Sequence, residues 1–375
     1  MGDTAVDNRE LILDGHKLAW HLERVRAWER GERIAPVTID MALTRACNYA
    51  CQYCFAMFQE NTGSKITRQV MDDFIDDCAE MGVRAISFAG DGENTLHPAF
   101  ASSVIRGGER GISMALNTNA FTMSGRKVEE YLPYLTYVRI NITAAEPDRY
   151  AEIMGVKPEW LHTVIANTRN MVALKRKMNL KTTIGMQMVL VPDYRDQILP
   201  LAKLARELEV DYLVIKHCSD DEMGSFSIDY SDYAGLYETL KEAESYSTSQ
   251  TFVVAKWSKI EEGNNRRSYQ RCYGPPFMVQ LSGTGLVAPY GQLFNDKFKR
   301  YHMGNIAEQR FRDIVQSDAY WEVINHLASK DFNAQRMCGP LCRPHNVNTT
   351  LDQYKKGYID LDEPVGAVPQ HVNFL

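Results

Sequence analysis

The order of apolar segments in this 375-residue chain predicts an α/β fold, a parallel sheet of six strands with covering helices. Three observations carry that reading. Short apolar runs recur at 37–43, 83–89, 112–117, 137–142, 183–191 and 211–216. Stretches between them have helical periodicity: in 67–81 Val70, Phe74, Ile75 and Cys78 share a face, and in 196–208 Ile198, Leu199, Leu201, Ala202 and Leu204 mix with charges. Punctuation frames the first of these helices, with Thr67 at its start and Gly82 just past its end. Six strand–helix repeats fall short of the eight that close a barrel.

Residues 18–30 form a helix that leads into the first strand. After Cys218 the rhythm changes. Residues 219–250 are acidic and rich in Tyr and Ser, and 258–270 are polar, so both read as loop or surface. Residues 276–290 read as a hairpin, Phe277 to Leu281 and Leu286 to Ala288 about the turn Ser282-Gly283-Thr284-Gly285. A helix over 311–327 precedes the last cysteines. The expected division is a helical lead-in at 1–35, a barrel-like α/β unit at 36–217 and a smaller C-terminal unit at 218–375.

Hydrophobic residues make up 45% and charged residues 24%, the composition of a globular protein. A formal charge of -6 gives no electrostatic reason to expect nucleic acid. The basic runs Arg266-Arg267 and Lys297 to Arg300 are short enough to be solvated loops. The start, Met1-Gly2-Asp3-Thr4, carries no secretory leader, and no apolar run approaches the ~18 residues that span a bilayer. The expectation is a cytoplasmic protein without a membrane partner.

Of eight cysteines, Cys78 stands alone on a helix face and reads as core. In a reducing compartment the clustered ones point to metal rather than disulfides. Cys47, Cys51 and Cys54 have the spacing CxxxCxxC directly after the first strand. Three thiolates so close together suit three irons of a cubane cluster and leave the fourth open. A zinc knuckle is the alternative, but no second Cys/His pair follows before Cys78.

This loop, at this place in the strand order, resembles the signature of the radical S-adenosylmethionine (SAM) superfamily, and residues 36–217 resemble its partial (βα)6 TIM-type barrel. The resemblance implies a [4Fe-4S] cluster whose open iron binds SAM. Ser87 to Glu93, ending the second strand, resembles the motif whose glutamate holds the SAM ammonium, here Gly92 and Glu93. Asp91 stands in place of its first glycine, and Asn94 where proline is frequent. A carboxylate there would accept charge-assisted hydrogen bonds. Asn117 and Asn119 resemble the segment near the ribose, Arg139 and Asn141 the positions that bind SAM carboxylate and ribose, and Gln187 the adenine side. Tyr53 matches an aromatic position that contacts adenine. Each falls at the C-terminal end of a successive strand, the active-site edge of such sheets.

Cys272, the hairpin, Gly304-Asn305-Ile306 and the pair Cys338/Cys342 resemble the SPASM or twitch extension of these enzymes, which holds auxiliary iron–sulfur clusters. Tyr290 stands where that pattern has a cysteine. Two auxiliary clusters would need about eight thiolates. One is expected, with Cys218 joining Cys272, Cys338 and Cys342. A buried strand-end cysteine at 218 and a structural zinc at 338/342 are the competing readings.

The resemblance implies reductive SAM cleavage, hydrogen abstraction from substrate by a 5′-deoxyadenosyl radical, and an electron donor such as flavodoxin or ferredoxin. The expected substrate is a small polar metabolite (a sugar, aminocyclitol or nucleotide sugar), oxidised or epimerised. Only 46 residues precede Cys47, few for a peptide-recognition domain. His97, Asp91, Tyr290 and His217 are unranked acid/base candidates. The alternatives are a peptide-modifying maturase, or an iron–sulfur carrier or zinc-stabilised binding module.

Overall fold

The computed structural model describes residues 11–13, 17–59, 65–220, 223–261, 267–339 and 342–375. Residues 1–4, Arg266 of the Arg266-Arg267 run, and Pro340 and Leu341 between the last cysteines lie outside the described residues.

Six parallel strands follow the expected order: β1 (Thr38–Met41), β2 (Ala85–Phe88), β3 (Ser113–Thr118), β4 (Leu135–Asn141), β5 (Thr183–Leu190) and β6 (Tyr212–His217). A seventh, β7 (Phe252–Ala255), extends them in parallel beside β6. It lies just beyond the stretch 219–250 and was not anticipated, because four residues between polar segments carry little periodic signal. The hairpin strands β8 (Met278–Leu281) and β9 (Leu286–Ala288) form as expected, and β10 (Gly304–Asn305) pairs with β9. The hairpin also continues the barrel sheet, since β8 pairs in parallel with β1. One sheet results, ordered β10-β9-β8-β1-β2-β3-β4-β5-β6-β7.

Helices cover the outer face. In Arg68–Met81 the Thr67 hydroxyl accepts from Val70 N at 3.2 Å, and Gly82 takes the left-handed conformation (φ 77°) that ends the helix. Its inner face buries Met71, Phe74, Ile75 and Cys78. Asp77 on this helix is fully buried, and Arg310 (2.6 Å) and Arg312 (2.7 Å) neutralise it, so the C-terminal segment is locked to the barrel wall. The helix expected over 311–327 is broken at Ser317, whose side chain caps Asp318–Ala328 by accepting from Tyr320 N. Residues 219–250, expected as loop, contain the helix Tyr237–Glu244.

Inside the barrel, residues 371–375 run beneath the strands' N-terminal ends. Phe374 packs with Ala85, Ala115 and Tyr137. Asn373 Nδ2 donates to Ser113 Oγ (2.9 Å), Thr38 Oγ1 donates to Asn373 O (2.7 Å), and His371 Nε2 bonds Thr183 Oγ1 (2.8 Å). This tail floors the lumen. Lys17 reaches it from the lead-in and donates to Phe374 O at 2.8 Å.

Burial, with Arg343 and Arg139 nearby, pushes the Lys17 ammonium down to about 7. Below that pH, folded and unfolded chains both hold the proton and the buried charge costs stability. Between about 7 and 10.5 only the unfolded chain keeps it, so stability climbs with pH across that window and levels above it. The expected rise is on the order of 4–5 kcal/mol. Urea midpoints measured from pH 7 to 10 should show it, and Lys17→Met should flatten the curve. An equally steep rise in that variant would refute the assignment.

Candidate functional site

The loop after β1 is held at the C-terminal edge of the sheet by backbone contacts on every side. Ala42 N donates to Leu281 O, Glu93 N to Ala46 O, Ala50 N to Met154 O and Gln52 N to Ile153 O, at 2.9–3.3 Å. Leu43 N donates to Asn94 Oδ1 at 2.7 Å. Asparagine at 94, where the resembling pattern has proline, therefore fixes the loop through its side chain. Glycines make the cradle beneath. A Cβ on Gly92 (φ 105°) would stand 2.2 Å from Thr44 O, and one on Gly283 2.4 Å from Thr44 C. Asp91 replaces a glycine to a similar end: its carboxylate accepts from Gly283 N (3.2 Å) and pairs with Arg45 (3.4 Å). Burial raises its carboxyl to about 6, with Gly283 N and Arg45 opposing.

On this loop Cys47 is exposed while Cys51 and Cys54 are half-buried. Tyr49 N lies 3.4 Å from Cys47 Sγ, a donor to sulfur. Burial, and then the charges of Cys54 and Cys47, push the Cys51 thiol up to about 12. Three cysteines in one short loop are a donor set that, once deprotonated, three irons of a cubane could share. Among the described residues no three His, Cys, Asp or Glu side chains are placed to share one metal ion.

Glu93 is 3% exposed and fixed by four donors. Its Oε1 accepts from Thr95 N (3.1 Å), Thr95 Oγ1 (2.7 Å) and Thr118 Oγ1 (2.8 Å), and Oε2 accepts from Asn119 N (2.8 Å). Oε2 retains room for one more donor. Asn119 Nδ2 in turn donates to Asn48 Oδ1 (2.8 Å), joining Glu93 to the cysteine loop. Tyr53 is buried, and its hydroxyl accepts from Asn141 Nδ2 (2.8 Å) and Thr143 Oγ1 (3.0 Å) while donating to Met154 Sδ. Gln187 Nε2 donates to Asn141 Oδ1 at 3.3 Å. Asn117 Nδ2 donates to Ser87 Oγ (3.0 Å), which bonds Tyr137 OH (3.1 Å). The structure thus gathers Tyr53, Glu93, Asn119, Asn141 and Gln187 about the cysteine loop. Arg139 lies one layer deeper, level with Asn117.

Residues 41–205 match the model of the Radical SAM superfamily. These residues carry a radical SAM domain. That family implies SAM and a [4Fe-4S] cluster. Over 91 residues it is 36% identical to the S-adenosylmethionine-dependent nucleotide dehydratase of Selenomonas ruminantium, covering 24% of this chain and 32% of that one. Over 130 residues it is 28% identical to the probable GTP 3′,8-cyclase of Methanocella arvoryzae, 35% of this chain and 41% of the relative. Less than half of either relative is spanned. In fold it resembles Streptococcus suis SuiB, with a TM-score of 0.62 at 16% identity over 81% of this chain and 71% of SuiB.

The segments that carry the second cysteine group meet in the fold. Segments around 267–274, 334–339 and 342–348 are stitched together: Cys272 N donates to Leu327 O (2.9 Å), Ala334 N to Gln270 O (2.7 Å), and Arg267 Nη1 to Cys338 O (3.3 Å). Asn348 Oδ1 accepts from Gly274 N at 3.1 Å. Burial, then Cys342 and Cys338, raise the Cys272 thiol well above its ordinary value. Tyr290, where the pattern has cysteine, is raised by burial and the same two thiols. Cys218, the fourth expected ligand, lies close to the first loop. Its Sγ lies 4.0 Å from Tyr53 O, and its thiol is raised to about 12 by burial, Asp220 and Cys54, with Lys216 opposing. The end of β6 points it toward the first loop.

The acid/base candidates separate as well. Both ring nitrogens of His97 are bound to backbone, Nε2 with Ile66 O (2.9 Å) and Nδ1 accepting from Ala99 N (3.2 Å). His217 is buried against Tyr230 and Tyr233, outside the lumen layer of Asn117 and Arg139. Sequence reasoning missed Asp40, Gln280, Arg343 and Tyr212, which line or support the lumen. Asp40 was detectable as a charge inside an apolar strand. Arg343 was not, since only the tertiary fold brings it to Asp40 (2.9 Å).

Proposed function

We propose that this radical SAM enzyme acts on a small polar metabolite held in the barrel lumen, giving oxidation or epimerisation. The observation that carries this is the floored, polar lumen. Ser87, Asn117, Asn141, Gln187 and Arg139 line it, and residues 371–375 block its lower end. A peptide threading from below would have to displace Phe374, which is 5% exposed. The names of the two curated relatives point to nucleotides, which are small and polar, whereas SuiB has been solved with its precursor peptide SuiA.

Cys47, Cys51 and Cys54 would hold the cluster, with Glu93, Asn119, Asn141, Tyr53 and Gln187 around SAM and Gly92 giving the loop its clearance. When bound, this pair of groups supplies reductive cleavage of SAM and hydrogen abstraction from the substrate. The chain's own residues do the positioning. Glu93 keeps a carboxylate facing the loop, and the loop's contacts with β2, β8 and the 153–154 backbone hold the cysteines in one arrangement. Cys272, Cys338 and Cys342 would hold an auxiliary cluster, with residues 218–375 as the supporting extension.

The test is substrate-stimulated formation of 5′-deoxyadenosine. Aminocyclitols, sugars and nucleotide sugars should raise it above the uncoupled rate. Stimulation by peptides alone would replace this reading with a maturase. Glu93→Gln should weaken SAM binding by on the order of 10-fold or more, from the ~1.5–3 kcal/mol of a charged hydrogen bond. Iron content should be unchanged. Unaltered SAM affinity would remove Glu93 from the SAM site.

A further inference from the structure

We propose that Arg139 anchors an anionic group of the substrate, a carboxylate or a phosphate, at the inner end of the lumen. This rests on the reading of the lumen as the substrate chamber. Arg139 projects from β4 one layer below Asn141, about 6.6 Å along the strand. Its guanidinium carbon lies 5.0 Å from the Tyr137 ring centre and 5.7 Å from that of Tyr212. Nε donates to Tyr212 OH at 3.2 Å. Gly185 makes the arrangement possible, because a Cβ there would stand 2.1 Å from the Tyr212 ring. The guanidinium is held by its inner nitrogen and two aromatic faces. Its outer fork, four of its five N–H donors, has no acceptor among the described residues.

Lys17, Arg139 and Arg343 converge here about Asp40. Asp40 accepts from Arg343 Nε (2.9 Å) and Gln280 Nε2 (3.3 Å). Arg343 Nη1 donates to Leu375 O (2.7 Å) and Lys17 to Phe374 O (2.8 Å), so the tail occupies both of those cations. Arg139 remains with a preformed fork, and Asp40, the carboxylate that acts on it, is bonded to Arg343 and Gln280 instead. Planar, bidentate pairing with carboxylate or phosphate is what such a fork recognises. An anion seated there would leave the middle of the substrate under Asn141 and Gln187, beside the SAM edge.

The test is calorimetric binding under anaerobic conditions to the reconstituted, SAM-loaded protein. The probes are glucose 6-phosphate, glucuronate and, as the uncharged control, glucose. At least one charged probe should bind more tightly than glucose, and which one distinguishes phosphate from carboxylate. Arg139→Gln should weaken that binding on the order of 10- to 100-fold, with Arg139→Lys between, while SAM affinity and iron content hold. If neither anion binds better than glucose, or both bind wild type and Arg139→Gln equally, the anchor is refuted. A loss of SAM affinity in Arg139→Gln would assign the fork to the SAM carboxylate and also overturn the proposal. Should Arg139→Gln fail to fold, the Lys variant decides, since it keeps the charge and loses the fork. Stimulation of SAM cleavage by peptides alone would remove the chamber itself, an outcome separate from these.

Discussion

Replacing Cys47, Cys51 and Cys54 together by Ala is expected to reduce 5′-deoxyadenosine formation from SAM to background, and to remove about four irons per chain. The fold should survive, because the loop is held by contacts that do not involve the thiols. Its backbone is tied to Leu281, Glu93, Ile153 and Met154, and its polar side chains to Asn119 and Asp91. Cys47 is exposed, so its truncation opens no core cavity. Circular dichroism should therefore match wild type while the iron–sulfur absorbance falls. Measurable SAM cleavage by the triple variant would mean that another set of residues holds the cluster.

The strands were legible because each is a short apolar run between helical stretches, and all six were placed within about two residues. The first cysteine loop was equally plain, since its three cysteines lie within eight residues and their spacing is itself the signal. What could not be read were associations across sequence distance. Nothing in 276–290 says that β8 pairs in parallel with β1, because a hairpin's own pattern does not name its neighbour. The tail illustrates the same limit. His371 to Leu375 reads as apolar enough to dock, but its place under Thr38, Ser113 and Thr183 depends on which side chains face inward there. Arg139 was singled out from its place on the fourth strand. Its stacking between Tyr137 and Tyr212 required the relative register of β4, β5 and β6. Cys218 was grouped by position at the end of the sixth strand, whereas its approach to Tyr53 O (4.0 Å) is visible only in the fold.

That last placement sets the second large effect. If Cys272, Cys338 and Cys342 hold an auxiliary cluster, the intact protein should carry close to eight irons. The triple Ala variant of these three should lose about half of that iron, keep SAM cleavage, and lose conversion of substrate. If those three cysteines suffice, Cys218→Ala should keep its full iron content, since its sulfur lies 4.0 Å from Tyr53 O on the first loop. The two outcomes are separable from simple unfolding. Arg267 binds the backbone of Ala334 and Cys338, Asn348 binds Gly274, and Arg310 and Arg312 hold Asp77, so the segment retains protein contacts without the metal. Some loss of stability is still expected, since a site joining residues 272 and 342 closes a loop of about seventy residues. Zinc in place of iron in the Cys47/Cys51/Cys54 variant would show that the second group is structural. Half of the iron lost in Cys218→Ala would restore the four-cysteine set and overturn the assignment drawn from the position of its sulfur.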